Sequence, residues 1–425
     1  MKRFFPFIII FMLLCGPRLK FPDLNILFTL LLVPVSLLLI AWRYKIEKNI
    51  LFLLYLLVLS LIFSIITVLI NDSISYVPIV SSLSVICSFF AAYSVVYIYR
   101  LSFNDENYIE KITHDIMVSY LINCIFVVLV MVVPAVKKVA TTLLSQNEKM
   151  IALANESVRS LDLVMGGGAV ASIVFSVFFV LSILTWLKER SVFSVICLVF
   201  SVFGMLLTGR TGLVFSIVFI IPVILSYNYL NKGKVDIINV TSTLMYVLLI
   251  FSSFMLSCLI IFRLSYPEEA SLIIEKSMDW ALEPYRNLFL KGSLESESTS
   301  SLVSMYRNYD VIFEYLSFFG TSLSGRDIGN YFDSDIGYLR ILYTSGFVGA
   351  LMIFFKYFYL LLKYIEIFSK RNYPSSVNLI LITAIYYIFV IFITNIKEYH
   401  DVIRSGTPLL MIFSILILSQ NRVVK

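Results

Sequence analysis

The chain alternates long apolar stretches with short polar breaks. Runs dominated by Leu, Ile, Val and Phe cover 4–15, 24–42, 50–70, 77–99, 112–134, 167–187, 191–207, 211–228, 240–262, 336–362, 377–395 and 406–420. Most approach or exceed the roughly 18 to 20 residues that a helix needs to cross a hydrocarbon core of about 30 Å. In lipid each must be helical, because no water is present to satisfy backbone N–H and C=O groups. The pattern therefore predicts an all-α polytopic membrane protein of about twelve spans, the first of them short. Residues 1–262 hold the first nine spans with short connections and a medium loop at 135–166. A large polar loop occupies 263–335, and 336–425 hold the last three spans.

Composition agrees with this reading and excludes an ordinary soluble domain. Of 425 residues, 60% are hydrophobic and 14% charged, and the mean hydropathy is +0.93. Lys2 and Arg3 before an apolar run ending at Cys15 resemble a signal peptide. No small-x-small cleavage site follows, and Leu14 does not suit a lipoprotein-type site, so the run is expected to stay as an uncleaved first span.

Charge orients the bundle. Lys2, Arg3, Arg43, Lys45, Lys48, Arg100, Lys111, Lys188, Arg190, Lys232, Lys234, Lys363, Lys370, Arg371, Arg422 and Lys425 all fall on one side, which the positive-inside rule makes cytoplasmic, with both termini. The net charge of +6 reflects this asymmetry. It does not indicate nucleic acid, since no basic stretch interleaved with aromatics occurs outside the spans. The five cysteines lie in apolar runs without a CxxC or Cys/His cluster, so neither a disulfide nor a zinc site is expected.

The opposite side carries the large loop. Its stretch EEASLIIEKSMDWALEPYRNLFL sets Leu272, Ile273, Trp280 and Leu282 among charges at helical spacing, which suits an amphipathic helix on the outer leaflet. KGSLESESTSS at 291–301 is a polar break, and LVSMYRNYDVIFEYLSFFG resumes a helical pattern up to Gly320. The medium loop, with Leu143, Leu144, Met150, Ile151 and Leu153, is expected to add one lid helix.

Candidate chemistry gathers on that outer side. Arg210, Arg263, Arg286, Arg307, Arg326, Arg340, Lys397 and Arg404 fall there, with Asp333, Asp335, Glu398, His400 and Asp401. Charge at a span end is costly unless it meets water or a polar ligand. Arg210 stands alone in LLTGRTGLV, 206–214, between Gly209 and Gly212. The planar guanidinium fork suits phosphate oxygens, and glycines permit a tight turn and close approach of a ligand to the backbone. An arginine there also suits snorkelling to headgroups.

Three stretches carry a resemblance: TGRTGL around Arg210, YRNYDVIFEYLSFFGTSLSG at 306–325 and SDIGYLRILYTSGFVGALM at 334–352. Together with the twelve-span plan, they are similar to the O-antigen polymerase (Wzy) family and the related O-antigen ligases. In those proteins an arginine follows the seventh span, a second opens a helix of the large periplasmic loop, and a polar motif opens the next span. The resemblance places Arg210 and Arg307 on the arginines that hold lipid pyrophosphate. Where ligases carry a histidine three residues before a Tyr-Leu pair, this chain has Asp335 before Tyr338 and Leu339, which favours polymerase over ligase. Arg326 and Gly337 fit an Arg-x10-Gly pattern of polymerases.

The implied enzyme is a glycosyltransferase of lipopolysaccharide biosynthesis in a bacterial inner membrane, with a periplasmic active site. Its substrates are undecaprenyl-pyrophosphate-linked oligosaccharides, donor and acceptor. Membrane lipid surrounds it, a chain-length regulator protein is a candidate further partner, and neither cofactor nor metal is expected. Asp335, Arg210 and Arg307 are the catalytic candidates. Arg210, Arg307, Arg326, Arg340, Lys397, His400, Arg404 and Tyr338 are candidates for holding pyrophosphate and glycan. Asp335 serves either as general base or as an N-cap; Asp333, Glu398, His400 and Asp401 are alternative bases. Asp333 and Asp335 also resemble a metal-binding Asp-x-Asp, but the arginines already supply positive charge. A ligase and a flippase or other transporter remain the alternatives; related halves, which transporters usually show, are not evident.

Overall fold

A computed structural model describes residues 4–20, 23–42, 46–72, 75–103, 107–145, 148–155, 159–164, 168–209, 211–233, 241, 245, 286–287, 289–290, 318–323, 336–370, 373–396 and 405–422. Among these the regular elements are helical: α1 Phe4–Cys15, α2 Leu24–Ala41, α3 Lys48–Ile70, α4 Val77–Ser102, α5 Tyr108–Val132, α6 Pro134–Leu143, α7 Glu148–Asn155, α8 Gly168–Glu189, α9 Val192–Thr208, α10 Thr211–Lys232, α11 Gly337–Lys370, α12 Ser375–Thr394 and α13 Gly406–Leu418. Local chemistry starts several of them. Asp23 caps α2 by accepting from Ile26 N at 3.3 Å. Ser191 caps α9 through Ser194 N at 3.3 Å, and Pro134 occupies the first turn of α6.

Eight of these helices, α2 to α5, α8 and α10 to α12, are long and apolar enough to cross a membrane. The protein is thus an all-helical, membrane-embedded chain. The apolar runs at 4–15, 191–207 and 406–420 form the shorter helices α1, α9 and α13, and the run 240–262 lies outside the described helices. Observed edges differ from the hydropathy pattern where polar turns extend a helix beyond its apolar part. Helix α5 starts at Tyr108 and α11 continues to Lys370. The medium loop contains two helices, α6 and α7, rather than the one expected. They share a small core of Val130, Ala140, Leu144, Ala154 and Leu161.

Helix α8 forms the centre: 89% of its apolar window is buried, against 22% for α2 and 33% for α3, α10 and α11. It packs on α9, α10 and α12, while α13 packs on α4 and α12. The outer helices present Leu30, Leu38, Phe52, Ile62, Ile217 and Phe358 outward. That apolar belt is the surface a bilayer covers.

Lipid gives helices little hydrophobic reason to associate, so close packing and interhelical hydrogen bonds do the work. Tyr386 OH donates to Ser176 Oγ at 2.9 Å. Tyr364 OH and Ser414 Oγ lie 2.7 Å apart, Tyr120 OH and Ser405 Oγ 2.8 Å, and Ser94 Oγ donates to Leu32 O at 2.8 Å.

One helix is broken. Gly346 in α11 has φ 67° and ψ −173°, which ends the first nine residues of the helix at Ser345. An extended segment, 318–323, fills the break. Thr321 N donates to Tyr343 O at 2.7 Å, Ser322 N to Thr344 O at 2.9 Å, and Val348 N to Phe318 O at 3.3 Å. Non-helical backbone survives at this depth only when protein supplies its partners. Gly320, at φ 71°, lies backbone to backbone against Gly346: a Cβ on either residue would come within 2.3 Å of the other's amide nitrogen. Ser322, also left-handed at φ 64°, donates from Oγ to Thr67 O at 3.1 Å and so ties the segment to α3.

Candidate functional site

One end of the bundle gathers the α1–α2 connection, the run 159–164 and the end of α9. Its described residues interlock. Arg18 N donates to Leu163 O at 2.8 Å, Ser145 N to Arg18 O at 2.7 Å, and Ser160 N to Leu207 O at 2.7 Å. Leu163 N donates to Asn123 Oδ1 at 3.1 Å, and Ser160 Oγ to Val127 O at 2.6 Å. The run 159–164 is thereby held against the last three turns of α5 and the end of α9. Asp162, within it, is fully buried. A carboxylate there is expensive unless polar groups surround it.

Gly209 and Gly212 lie close against α8. Their φ values are not what matters, since Gly209 is extended at φ −175°. Ser172 of α8 bridges them: its Oγ donates to Gly209 O at 2.5 Å and accepts from Gly212 N at 2.9 Å. A Cβ on Gly212 would stand 1.9 Å from Ser172 O, and one on Gly209 would stand 2.8 Å from Gly168 O. The close approach to this backbone is made by α8. Gly212→Ala is therefore expected to destabilise the protein by at least the roughly 1–3 kcal/mol of an overpacked core. A thermal-unfolding midpoint equal to wild type in detergent would refute that.

Arg340 and Tyr338 are the two described members of the candidate set, both half-buried in the first turn of α11. Tyr338 N donates to Asn395 O at 2.9 Å, its hydroxyl donates to Phe392 O at 2.7 Å, and its ring lies 5.2 Å from that of Phe354. Tyr338 thus fastens the start of α11 to the end of α12. Asp335, Arg210, Arg307, Arg326, Lys397, His400 and Arg404 lie outside the described residues, as do Asp333, Glu398, Asp401 and the stretch around Trp280. Their described neighbours are Gly209 and Thr211, Ile336, and Ile396 and Ser405. Helices α10, α12 and α11, each with one end beside these neighbours, pack in that order.

Lys137 of α6 donates to Asn155 O at 3.2 Å, and partial burial lowers its ammonium pKa. The sequence reading passed over four residues. Asp162 and Asn123 carried no motif. Ser172 belongs to a small-residue series, Gly168, Ser172 and Ser176, whose four-residue spacing marks a close helix contact. Lys356, only 3% exposed within α11, has its Nζ 4.8 Å from the ring of Tyr357; an ionisable residue inside a span is itself a functional signal.

No family model, curated protein or solved structure matches the chain.

Proposed function

We propose that this protein is an O-antigen polymerase that joins undecaprenyl-pyrophosphate-linked repeat units at the outer face of the inner membrane. The observation that carries the reading is the triple of TGRTGL, YRNYD and SDIGYLR segments in a chain with eight described helices long and apolar enough to cross a membrane. An acceptor hydroxyl attacks C1 of the donor's reducing-end sugar, the bond from C1 to the pyrophosphate oxygen breaks, and the lipid pyrophosphate leaves as an anion. Arg210 and Arg307 neutralise that anion, and Asp335 takes the hydroxyl proton. Arg326, Arg340, Lys397, His400 and Arg404 extend the polar surface for pyrophosphate and glycan. Preorganised positive groups in a water-poor site each supply about 3–4 kcal/mol toward such a transition state.

The decisive test is the glycan profile of a deletion strain on a gel. A polymerase loss leaves single repeat units on the acceptor, a ligase loss leaves none, and a flippase loss keeps repeats from reaching the outer face. A transporter is the second reading, favoured by the buried Lys356 and the broken helix α11. Within the polymerase reading, Arg210→Lys is expected to lose nearly as much turnover as Arg210→Ala, about 10²-fold or more, because an ammonium cannot reproduce the bidentate fork. A lysine variant with near-normal chain length would show that charge alone suffices.

A further inference from the structure

At the end of α12 opposite the contact of Tyr338 with Asn395, a cavity of about 380 Å³ opens between the last turns of α8 and α10 and the first residue of α12. That volume lies in the range of small-ligand sites, about 300–1,000 Å³. Lys188, Arg190, Asn228, Asn231, Lys232 and Ser375 line it. Lys188 is engaged by Glu110 at 2.5 Å and Glu189 at 3.4 Å, so recognition falls to Arg190 and Asn228. Arg190 sits in the left-handed region at φ 52°, a conformation uncommon for a residue other than glycine, asparagine or aspartate. This places its guanidinium over the Trp186 ring at 4.2 Å and leaves the edge of the fork without a carboxylate partner among the described residues. Asn228 is only 7% exposed, yet its amide makes no hydrogen bond among them. An amide on a cavity wall with no protein partner has its donor and acceptor open to a ligand. Neighbouring amides fix the wall: Asn378 Nδ2 donates to Asn231 Oδ1 at 3.2 Å, and Asn231 Nδ2 donates to Tyr227 O at 2.9 Å.

We propose that this cavity binds a phosphate ester, with the Arg190 fork and the Asn228 amide on its oxygens and Lys232 adding positive charge. The same chemistry is offered by an anionic phospholipid headgroup and by a soluble phosphate compound. The position of the cavity at the ends of spans, beside the lipid-facing helix α10, matches the basic interhelical pockets that hold headgroups. The inference does not depend on the glycosyl-transfer reading.

The test is native mass spectrometry of the purified full-length protein in detergent, with phosphatidylglycerol or phosphatidylcholine added. Wild type should retain phosphatidylglycerol selectively. Arg190→Asn, chosen because asparagine tolerates the left-handed backbone, should lower retention about five-fold, as expected for one cation near a headgroup. Asn228→Ala should lower it as well, and Lys363→Gln, at the same end but outside the cavity, should not. Thermal unfolding of each variant reports folding, and Lys232→Gln provides a second charge variant should Arg190→Asn fail to fold. Displacement by excess inorganic phosphate would assign the site to a soluble phosphate compound, and persistence in its presence to a lipid headgroup. Equal retention of the two lipids, cavity variants indistinguishable from wild type, or an equal loss in Lys363→Gln would overturn the proposal.

Discussion

Asp335→Asn, expressed at wild-type level in a strain lacking the chromosomal copy, is expected to yield glycan carrying a single repeat unit in place of long chains. Asparagine caps a helix about as well as aspartate, so a capping role alone survives the change. A general base does not, and its loss lowers turnover by about 10²- to 10⁴-fold. Single units persist because ligation downstream proceeds without polymerisation. Long chains in the variant would return Asp335 to capping and move the search for a base to His400 and Asp401. Complete absence of glycan, with the protein present in the membrane, would argue against the polymerase reading itself.

The second large effect concerns the break in α11. Gly346→Ala puts a Cβ 2.2 Å from Gly320 N at a residue with φ 67°. Overpacking costs about 1–3 kcal/mol, and a left-handed non-glycine residue adds about 1–2 kcal/mol. The expected loss is therefore about 2–5 kcal/mol. Gly320→Ala meets the same backbone from the other side and should lose a similar amount. Since both changes open one contact, the double variant should lose less than the two single losses added together. Thermal unfolding of the four proteins in one detergent gives the cycle. A Gly346→Ala midpoint equal to wild type would show that the two backbones separate at little cost.

The helices were legible because the apolar runs are long and lipid demands an internally bonded backbone. Their ends were less so: residues 363–370 extend α11 with Lys363, Glu366 and Lys370, which pair along the helix and interrupt its apolar run. The aromatic-glycine turn at 318–320 was readable from FFG, but its partner was not. Gly346 looks like any small residue inside a span, and only the backbone contact with Gly320 explains it. Around Arg210 the glycines signalled that something approaches the backbone closely, but sequence spacing does not say what. Ser172, 38 positions upstream, is what approaches. Asp162 and Lys356 went unnoticed for a related reason. Single charges acquire meaning only once their burial is known, and burial belongs to the assembled bundle.

Helix α13 has a history as well as a position. All thirteen of its residues are buried, against α4, α12 and α1 among others, although it is the last helix of the described chain to leave the ribosome. Until it arrives, Tyr364 has no Ser414 to meet, and the groove that α13 will occupy on α4 stands open to lipid. Every nascent chain thus passes through a stage in which most spans are inserted and the centre is unfinished. A premature stop between the end of α12 at Thr394 and Gly406 would freeze that stage and leave the Tyr364 hydroxyl without Ser414, a mark that membrane proteases can read. For this protein, the arrival of α13 and the closing of the contacts around it are one event.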